Sequence, residues 1–391
     1  MFFKKKILNG KYRETKMNVL FLATYGDFLA TFEYSNILIW QELGATVHCA
    51  SNFSNLGYNL KKDRLDKINV IKHEINFSRS PLNSGNIKAY ISLVRLIKKN
   101  NIDVIDCHNA VVGTLARLAA KQCNIKKVIY TPHSFFFYKG CPLKNKLIYS
   151  NVERFMSRST DLLISINQED YLASLDMPVR GKQLYVPGVG IDIEEIRQIK
   201  KERNKYCTEL NIPVNSVIFI SVGELIDRKN HLCAIEAFAK ADLKDAYYII
   251  CGIGELEKEL RDRIRELGIE DKIKLLGYRL DVKQIMKSAD IFIFPSIQEG
   301  LPVALMEAMA CGLPCLTSRI RGNVDLIVES KGGYFFYPND SNQLSVLIKN
   351  VYSNLAKIRL MGDYNQARIQ EFDIKNIRSI MQKEYKKLML K

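Results

Sequence analysis

The sequence predicts an α/β protein made of two doubly wound, parallel-sheet halves. Three observations lead there. Short apolar runs alternate with amphipathic helical stretches. The alternation halts at the turn-rich segment Val186-Pro-Gly-Val-Gly190 and restarts near Val217. A chain of 391 residues also exceeds what one hydrophobic core supports, so two domains are expected, residues 1–190 and 191–391.

In the first half the fold is expected to begin with the buried strand Asn18 to Thr24, leaving the polar, basic residues 1–16 as an extension and Met17 as an alternative start. Helical periodicity follows through Tyr34 to Leu43, then a strand at Ala45 to Ala50 and a helix from about Ile87 to Lys99. A strand at Asp103 to Cys107 leads into the helix Val112 to Gln122, and the strand Lys127 to Tyr130 precedes a helix at Leu143 to Ser157. The strand Leu162 to Ile166 closes the half.

The second half repeats the pattern. Strands are predicted at Val217 to Val222, Tyr247 to Cys251, Ile273 to Leu276 and Ile291 to Phe294, with helices at His231 to Lys240 and Leu256 to Leu267. A closing helix is expected from about Leu344 to Lys391. Open parallel sheets bind ligands at the carboxyl ends of their strands, so substrates are expected in a cleft between the two halves.

Charge and cysteine content narrow the function. Residues 1–190 hold 27 Lys and Arg against 14 Asp and Glu, whereas residues 191–391 hold 31 against 28. A basic first half suits nucleic acid, anionic headgroups or a diphosphate-bearing substrate. No nucleic-acid motif accompanies it, which argues against the first of these. The aromatic run Phe135 to Tyr138 beside Lys139 is consistent with a membrane surface and equally with a buried strand end. No apolar run is long enough to span a bilayer, and the amino terminus lacks the apolar core of a signal peptide, so a cytoplasmic or peripheral location is expected. The nine cysteines show no Cys-x-x-Cys pair or zinc spacing and read as reduced, buried thiols.

The chemistry-bearing segment is Phe294 to Ala308. It sets Glu299 and Glu307 around Gly300-Leu301-Pro302-Val303, where a strand ends and a helix opens. Gly300 permits a tight turn, Pro302 suits the first helical position, and the free N–H groups of a helix start favour an anion. Arg228 and Lys229 follow the strand and turn Ser221 to Asp227, where a guanidinium fork and an ammonium would meet phosphate. His133 follows Tyr130-Thr-Pro, and Pro132 forces an extended approach at the strand's end.

The Glu-x7-Glu pattern resembles the donor-site signature of the family 4 glycosyltransferases, retaining enzymes of the GT-B fold that use nucleotide sugars. The resemblance extends to Asp103 to Ala120, Tyr130 to Gly140, Val186 to Asp192 and Ser221 to His231, and so spans nearly the whole chain from Met17. It implies a GT-B fold with two Rossmann-like domains facing across a cleft, an acceptor-binding first domain and a donor-binding second domain. It also implies that the last helix crosses back to the first domain.

On this resemblance Glu299 positions the sugar, Glu307 holds the ribose, and Arg228, Lys229 and the helix start at Gly300 neutralise the diphosphate. His133 contacts the donor sugar or its phosphate. Gly277-Tyr278-Arg279 lies near the nucleobase, with Tyr278 packing beside it. Gly26, Arg79, His108 and Arg117 are the acceptor-side candidates, although Arg79 and Arg117 read singly as surface charges. Two departures stand out: Glu224 occupies the family's usual arginine position, and one glycine, Gly26, replaces a double glycine.

Cys251-Gly252-Ile253-Gly254 lacks the third glycine of a dinucleotide fingerprint and reads as a tight turn. No Asp-x-Asp occurs, so neither a metal nor a cofactor beyond the nucleotide sugar is expected. The expected reaction moves a hexose or N-acetylhexosamine, from UDP by family frequency, to a polyprenyl-diphosphate-linked or growing surface polysaccharide. A nucleotide-sugar epimerase or a non-catalytic scaffold on the same fold are the alternatives.

Overall fold

The structure, a computed structural model, describes residues 4–8, 11–54 and 62–390. The chain divides into two units, residues 1–189 with 375–391, and residues 190–374. A short antiparallel hairpin, β1 (Lys4–Leu8) and β2 (Lys11–Thr15), precedes the first sheet.

That sheet has seven parallel strands in the order β5-β4-β3-β6-β7-β8-β9. They are β3 (Asn18–Tyr25), β4 (Thr46–Asn52), β5 (Val70–Glu74), β6 (Val104–His108), β7 (Lys127–Thr131), β8 (Leu162–Ser165) and β9 (Lys182–Tyr185). Every residue of β6, and all but the two end residues of β3, is buried, as helices on both faces require. The helix Gly85–Lys99 turns Ala89, Leu93, Leu96 and Ile97 inward at helical spacing. The edge strands β5 and β9 escaped the sequence reading because they carry exposed polar residues in place of an apolar run.

The second sheet has six parallel strands in the order β12-β11-β10-β13-β14-β15. They are β10 (Val217–Val222), β11 (Ala246–Cys251), β12 (Ile273–Leu275), β13 (Ile291–Phe294), β14 (Cys315–Ser318) and β15 (Gly333–Phe336). Phe219, Tyr248, Ile291 and Ile293 are fully buried beneath the helix His231–Ala241.

The expected single closing helix is corrected to three, Ser341–Ser353, Leu355–Arg368 and Ile374–Leu390. Asn354 and Asp373 adopt non-helical backbone angles and break the run. The last helix buries Ile377, Met381, Tyr385 and Leu388 in the core of the first unit, with the Tyr385 ring stacked on Trp40 at 4.6 Å. All nine cysteines are free thiols, six of them buried.

Both sheets reverse their strand order once, between β3 and β6 and between β10 and β13. Such a reversal splays the loops at the carboxyl ends apart and leaves a crevice. The chemistry-bearing side chains follow these strands.

Candidate functional site

In the second unit, the loops after β10 and β13 converge on one carboxylate. The Glu299 Oε1 atom accepts from Lys229 Nζ at 2.7 Å and from Arg228 Nη1 at 2.8 Å. Burial opposes the Glu299 anion, but Lys229 and then Arg228 outweigh it and hold the carboxyl below its usual range. The backbone supports the arrangement: Ile297 N–H donates to the Arg228 carbonyl at 2.9 Å, and Arg228 Nη1 also reaches the Gln298 carbonyl. Glu224, at the position where the resemblance wanted arginine, lies 3.7 Å from Arg228.

Pro302 caps the helix Val303–Ala310 rather than opening it, its carbonyl accepting from Met306 N–H. The N–H groups of Val303 and its next neighbours are therefore the ones without a partner inside the helix. Gly300 and Leu301 form the turn before it, and a Cβ at Gly322 (φ +81°) would lie 2.2 Å from the Gly300 carbonyl oxygen. Arg321, which drew no attention in the sequence, donates through Nε to the Glu299 carbonyl at 3.2 Å. Glu307 lies on the same helix, with Lys283 Nζ 3.8 Å away.

Tyr278 is exposed beside Gly277, whose φ is +64°. Arg279 is already engaged with Asp281 and Glu209, at 2.8 and 2.6 Å. Gly252 and Gly254 form a packing turn, since a Cβ at either would strike the backbone of Gly223 or Leu225.

In the first unit the structure brings together His108 from the end of β6, His133 from the loop after β7 and a residue the sequence reading missed, Glu33. The Glu33 Oε1 atom lies 3.0 Å from His133 Nε2 and 3.4 Å from His108 Nδ1. Asn36 Nδ2 donates to its other oxygen at 2.8 Å. Glu33 closes a π-helical turn, Leu29–Glu33, that points it inward before the helix Tyr34–Glu42. Burial disfavours the Glu33 anion, yet His108, His133 and Asn36 bring its carboxyl down to about 2. Burial lowers His108 to about 4 despite the pull of Glu33. Among the described residues, these three form the group of side chains whose ligand atoms are close enough to hold a metal ion. The same atoms are close enough to share protons. His133 takes a left-handed φ of +60°, a conformation costing about 1–3 kcal/mol outside glycine.

The remaining acceptor-side candidates separate. Gly26 is demanded by packing, since a Cβ there would lie 2.2 Å from the Phe53 ring. Arg79 is exposed and stacks over Tyr25 at 4.7 Å. The reading of Arg117 as an acceptor contact or surface charge is corrected: it is 1 % exposed, paired to Glu153 at 2.9 Å and laid over the Tyr130 ring. The helix Ala110–Gln122 turns it to the same side as Val112, Ala116 and Ala120.

The family model for glycosyl transferases group 1 matches residues 202–368, and that for glycosyl transferase 4-like domains matches residues 18–167. The chain is 30% identical over 351 residues to EpsD of Bacillus subtilis (strain 168), described as a glycosyltransferase, covering 88% of this chain and 90% of that one. The chain belongs to the family 4 glycosyltransferases.

A second relative of this glycosyltransferase is the Escherichia coli UDP-Gal:alpha-D-GlcNAc-diphosphoundecaprenol alpha-1,3-galactosyltransferase. It is 30% identical over 294 residues, or 71% of this chain and 76% of that one. Anabaena HepE, solved with UDP and glucose, shares the fold with a TM-score of 0.77 at 21% identity, over 95% of this chain and 100% of that one. WaaG, a lipopolysaccharide glycosyltransferase, superposes with a TM-score of 0.71 at 17% identity, over 94% and 99%. The glycosyltransferase therefore has the GT-B fold, and its two clusters stand at the two strand-order reversals of that fold.

Proposed function

We propose that this glycosyltransferase transfers a hexose or N-acetylhexosamine, with retention, from a UDP-sugar to a polyprenyl-diphosphate-linked glycan. The carrying observation is the half-buried Glu299 held by both Lys229 and Arg228 at a helix start. As the glycosidic bond breaks, negative charge grows on the departing diphosphate. The two cations and the helix N–H groups are the groups suited to it. Glu299 fixes the cations and orients the sugar, Glu307 takes the ribose, and His133 contacts the donor sugar or its phosphate. In this reading the leaving phosphate helps deprotonate the acceptor hydroxyl on the face it departs from, which needs no side-chain nucleophile. Neither a metal on the diphosphate nor a further cofactor has a role in it.

The choice of UDP rests on the galactosyltransferase relative and on HepE, and the lipid-linked acceptor on the former. The test is the thermal midpoint of the purified chain against UDP-, GDP- and ADP-sugars without added metal. A ligand at a hundred times its Kd adds about 2.7 kcal/mol to the native state. A UDP-sugar is expected to raise the midpoint selectively, and Lys229→Ala to abolish the rise. No shift from any sugar nucleotide at millimolar concentration would leave a scaffold as the better reading.

The same proposal includes a bilayer surface as partner. No described helix is long and apolar enough to cross a membrane. The helix Leu143–Met156 nevertheless exposes Leu143 (71 %), Leu147, Ile148, Val152 and Phe155 (60 %) along one face. Glu153, on the opposite side, fixes the helix rotation through its buried contact with Arg117. Exposed Lys144, Lys146 and Arg154 lie on the same helix, Lys144 and Arg154 among the apolar side chains, and exposed Arg158 follows it. Apolar insertion with flanking cations suits anionic headgroups. Of the aromatic run before it, Phe136 is exposed while Phe135 and Phe137 are buried. The protein is expected to sediment with phosphatidylglycerol vesicles and not with phosphatidylcholine vesicles, and Leu147→Ser/Phe155→Ser to weaken this about tenfold or more. Failure to bind the anionic vesicles at low salt would sink the idea.

A further inference from the structure

We infer that Glu33 is the positioning residue for His133, and that it anchors a chain of buried polar side chains running from His133 to the carboxy-terminal helix. The inference rests on the role proposed above for His133.

The geometry gives each member one place. His133 Nε2 and His108 Nδ1 both point at Glu33 Oε1, at 3.0 and 3.4 Å, and lie 3.3 Å from each other. The second nitrogen of His108, Nε2, is 3.4 Å from Asp106 Oδ1. Tyr385 of the last helix donates its hydroxyl to Asp106 Oδ2 at 3.0 Å. Glu33, Asp106, His108 and Tyr385 are all buried, so solvent cannot substitute for any of these partners.

The contacts follow one path. Burial, and then the neighbouring Glu33 charge, push the Asp106 carboxyl well up, and its Oδ1 lies 3.4 Å from His108 Nε2. Burial lowers His108 to about 4, and its Nδ1 faces the Glu33 carboxylate at 3.4 Å. His133 donates through Nε2 to the same Glu33 oxygen. The order is Tyr385 to Asp106 to His108 to Glu33, with His133 arriving at Glu33 from the other side.

The consequence falls on His133. With Nε2 committed to Glu33, Nδ1 is the nitrogen left to face substrate. Glu33 and His133 share a recess also lined by Asn36, Thr131 and Gly188, and the His133 ring is the more exposed of the pair. Phe28 meets the ring edge-on at 4.7 Å between centroids, so the imidazole is held by a carboxylate on one side and an aromatic face on the other. The left-handed backbone at His133 fits the same purpose, because strain is tolerated where the surroundings over-determine a functional side chain.

The test compares Glu33→Gln and, at the far end of the chain, Tyr385→Phe with the native enzyme. Two readouts are taken: steady-state kinetics, and the imidazole nitrogen NMR signals of the five histidines. Glu33→Gln is expected to lower kcat on the order of 100-fold, the scale of a misplaced reacting group, with the KM for nucleotide sugar within about twofold. It is also expected to move the ring signals of His133 and His108 while those of His48, His73 and His231 stay in place. Tyr385→Phe is expected to move His108 more than His133 and to cost less than tenfold in kcat. Native kcat in folded Glu33→Gln, unmoved His133 signals, or one equivalent of bound zinc in the purified enzyme would each overturn the inference. The NMR readout needs no turnover. If His133→Ala retains full activity while Glu33→Gln still moves the His133 signals, the catalytic role of His133 fails and the positioning by Glu33 stands.

Discussion

Replacing Glu299 by glutamine is expected to lower kcat about 10²- to 10³-fold, the usual loss for one preorganised electrostatic group. The substitution keeps the volume and an acceptor oxygen, so the fold should survive. What it removes is the anion that Lys229 and Arg228 share at 2.7 and 2.8 Å. The local charge then rises by one unit and the two cations lose their anchor. A diphosphate should bind as well or better, because more free positive charge awaits it. The cations would no longer stand where charge develops as the bond breaks. An unchanged or lower KM with a collapsed kcat is the signature of an interaction realised in the transition state. A raised KM with intact kcat would show instead that Glu299 binds the sugar equally in ground and transition states, and the proposed role would be wrong. A fallen thermal midpoint without ligand would make the triad a structural ion pair.

The second large effect is on stability. Arg117→Met is expected to destabilise the first unit by roughly 3–5 kcal/mol, the range for breaking a buried pair from one side. Arg117 Nη2 meets Glu153 Oε2 at 2.9 Å, its Nε donates to the Gly113 carbonyl at 2.9 Å, and its guanidinium lies 3.9 Å from the Tyr130 ring centroid. Tyr130 donates its hydroxyl to the other Glu153 oxygen at 2.8 Å. Without Arg117 the Glu153 carboxylate is stranded in a core, beside a Gly113 whose missing side chain makes room for Tyr130. The double variant Arg117→Met/Glu153→Leu should recover most of the loss, because both charges leave together. Urea unfolding of the three proteins decides it. Native stability with a selective loss of acceptor-dependent turnover would restore Arg117 to the acceptor side.

These two residues show where legibility in the sequence ended. Arg228, Lys229 and Glu299 could be picked out because each follows directly on an apolar strand run, and strand ends in parallel sheets are where ligands meet the chain. Arg117 was misplaced because the chemistry of an arginine says surface, whereas its helix face says core. Its flanks of Val112, Ala116, Ala119 and Ala120 were the signal that could have corrected it. Glu33 offered a weaker signal, a single carboxylate in the otherwise uncharged stretch Phe28 to Gln41, and its partners lie far along the chain.

The sequence by itself determined the two-sheet α/β architecture, the position of most buried strands and the segment that carries Glu299 and Glu307. Those properties are local, written in apolar periodicity, turn residues and the ends of strands. Only the tertiary structure decided that the closing segment is three helices, that Arg117 belongs to a core and that Glu33 faces His133 and His108. A parallel sheet joins its strands through long crossovers, so side chains remote in sequence become neighbours at a reversal of strand order. Burial and such partners then shift Glu33 and His108 downward in ways that no local pattern names.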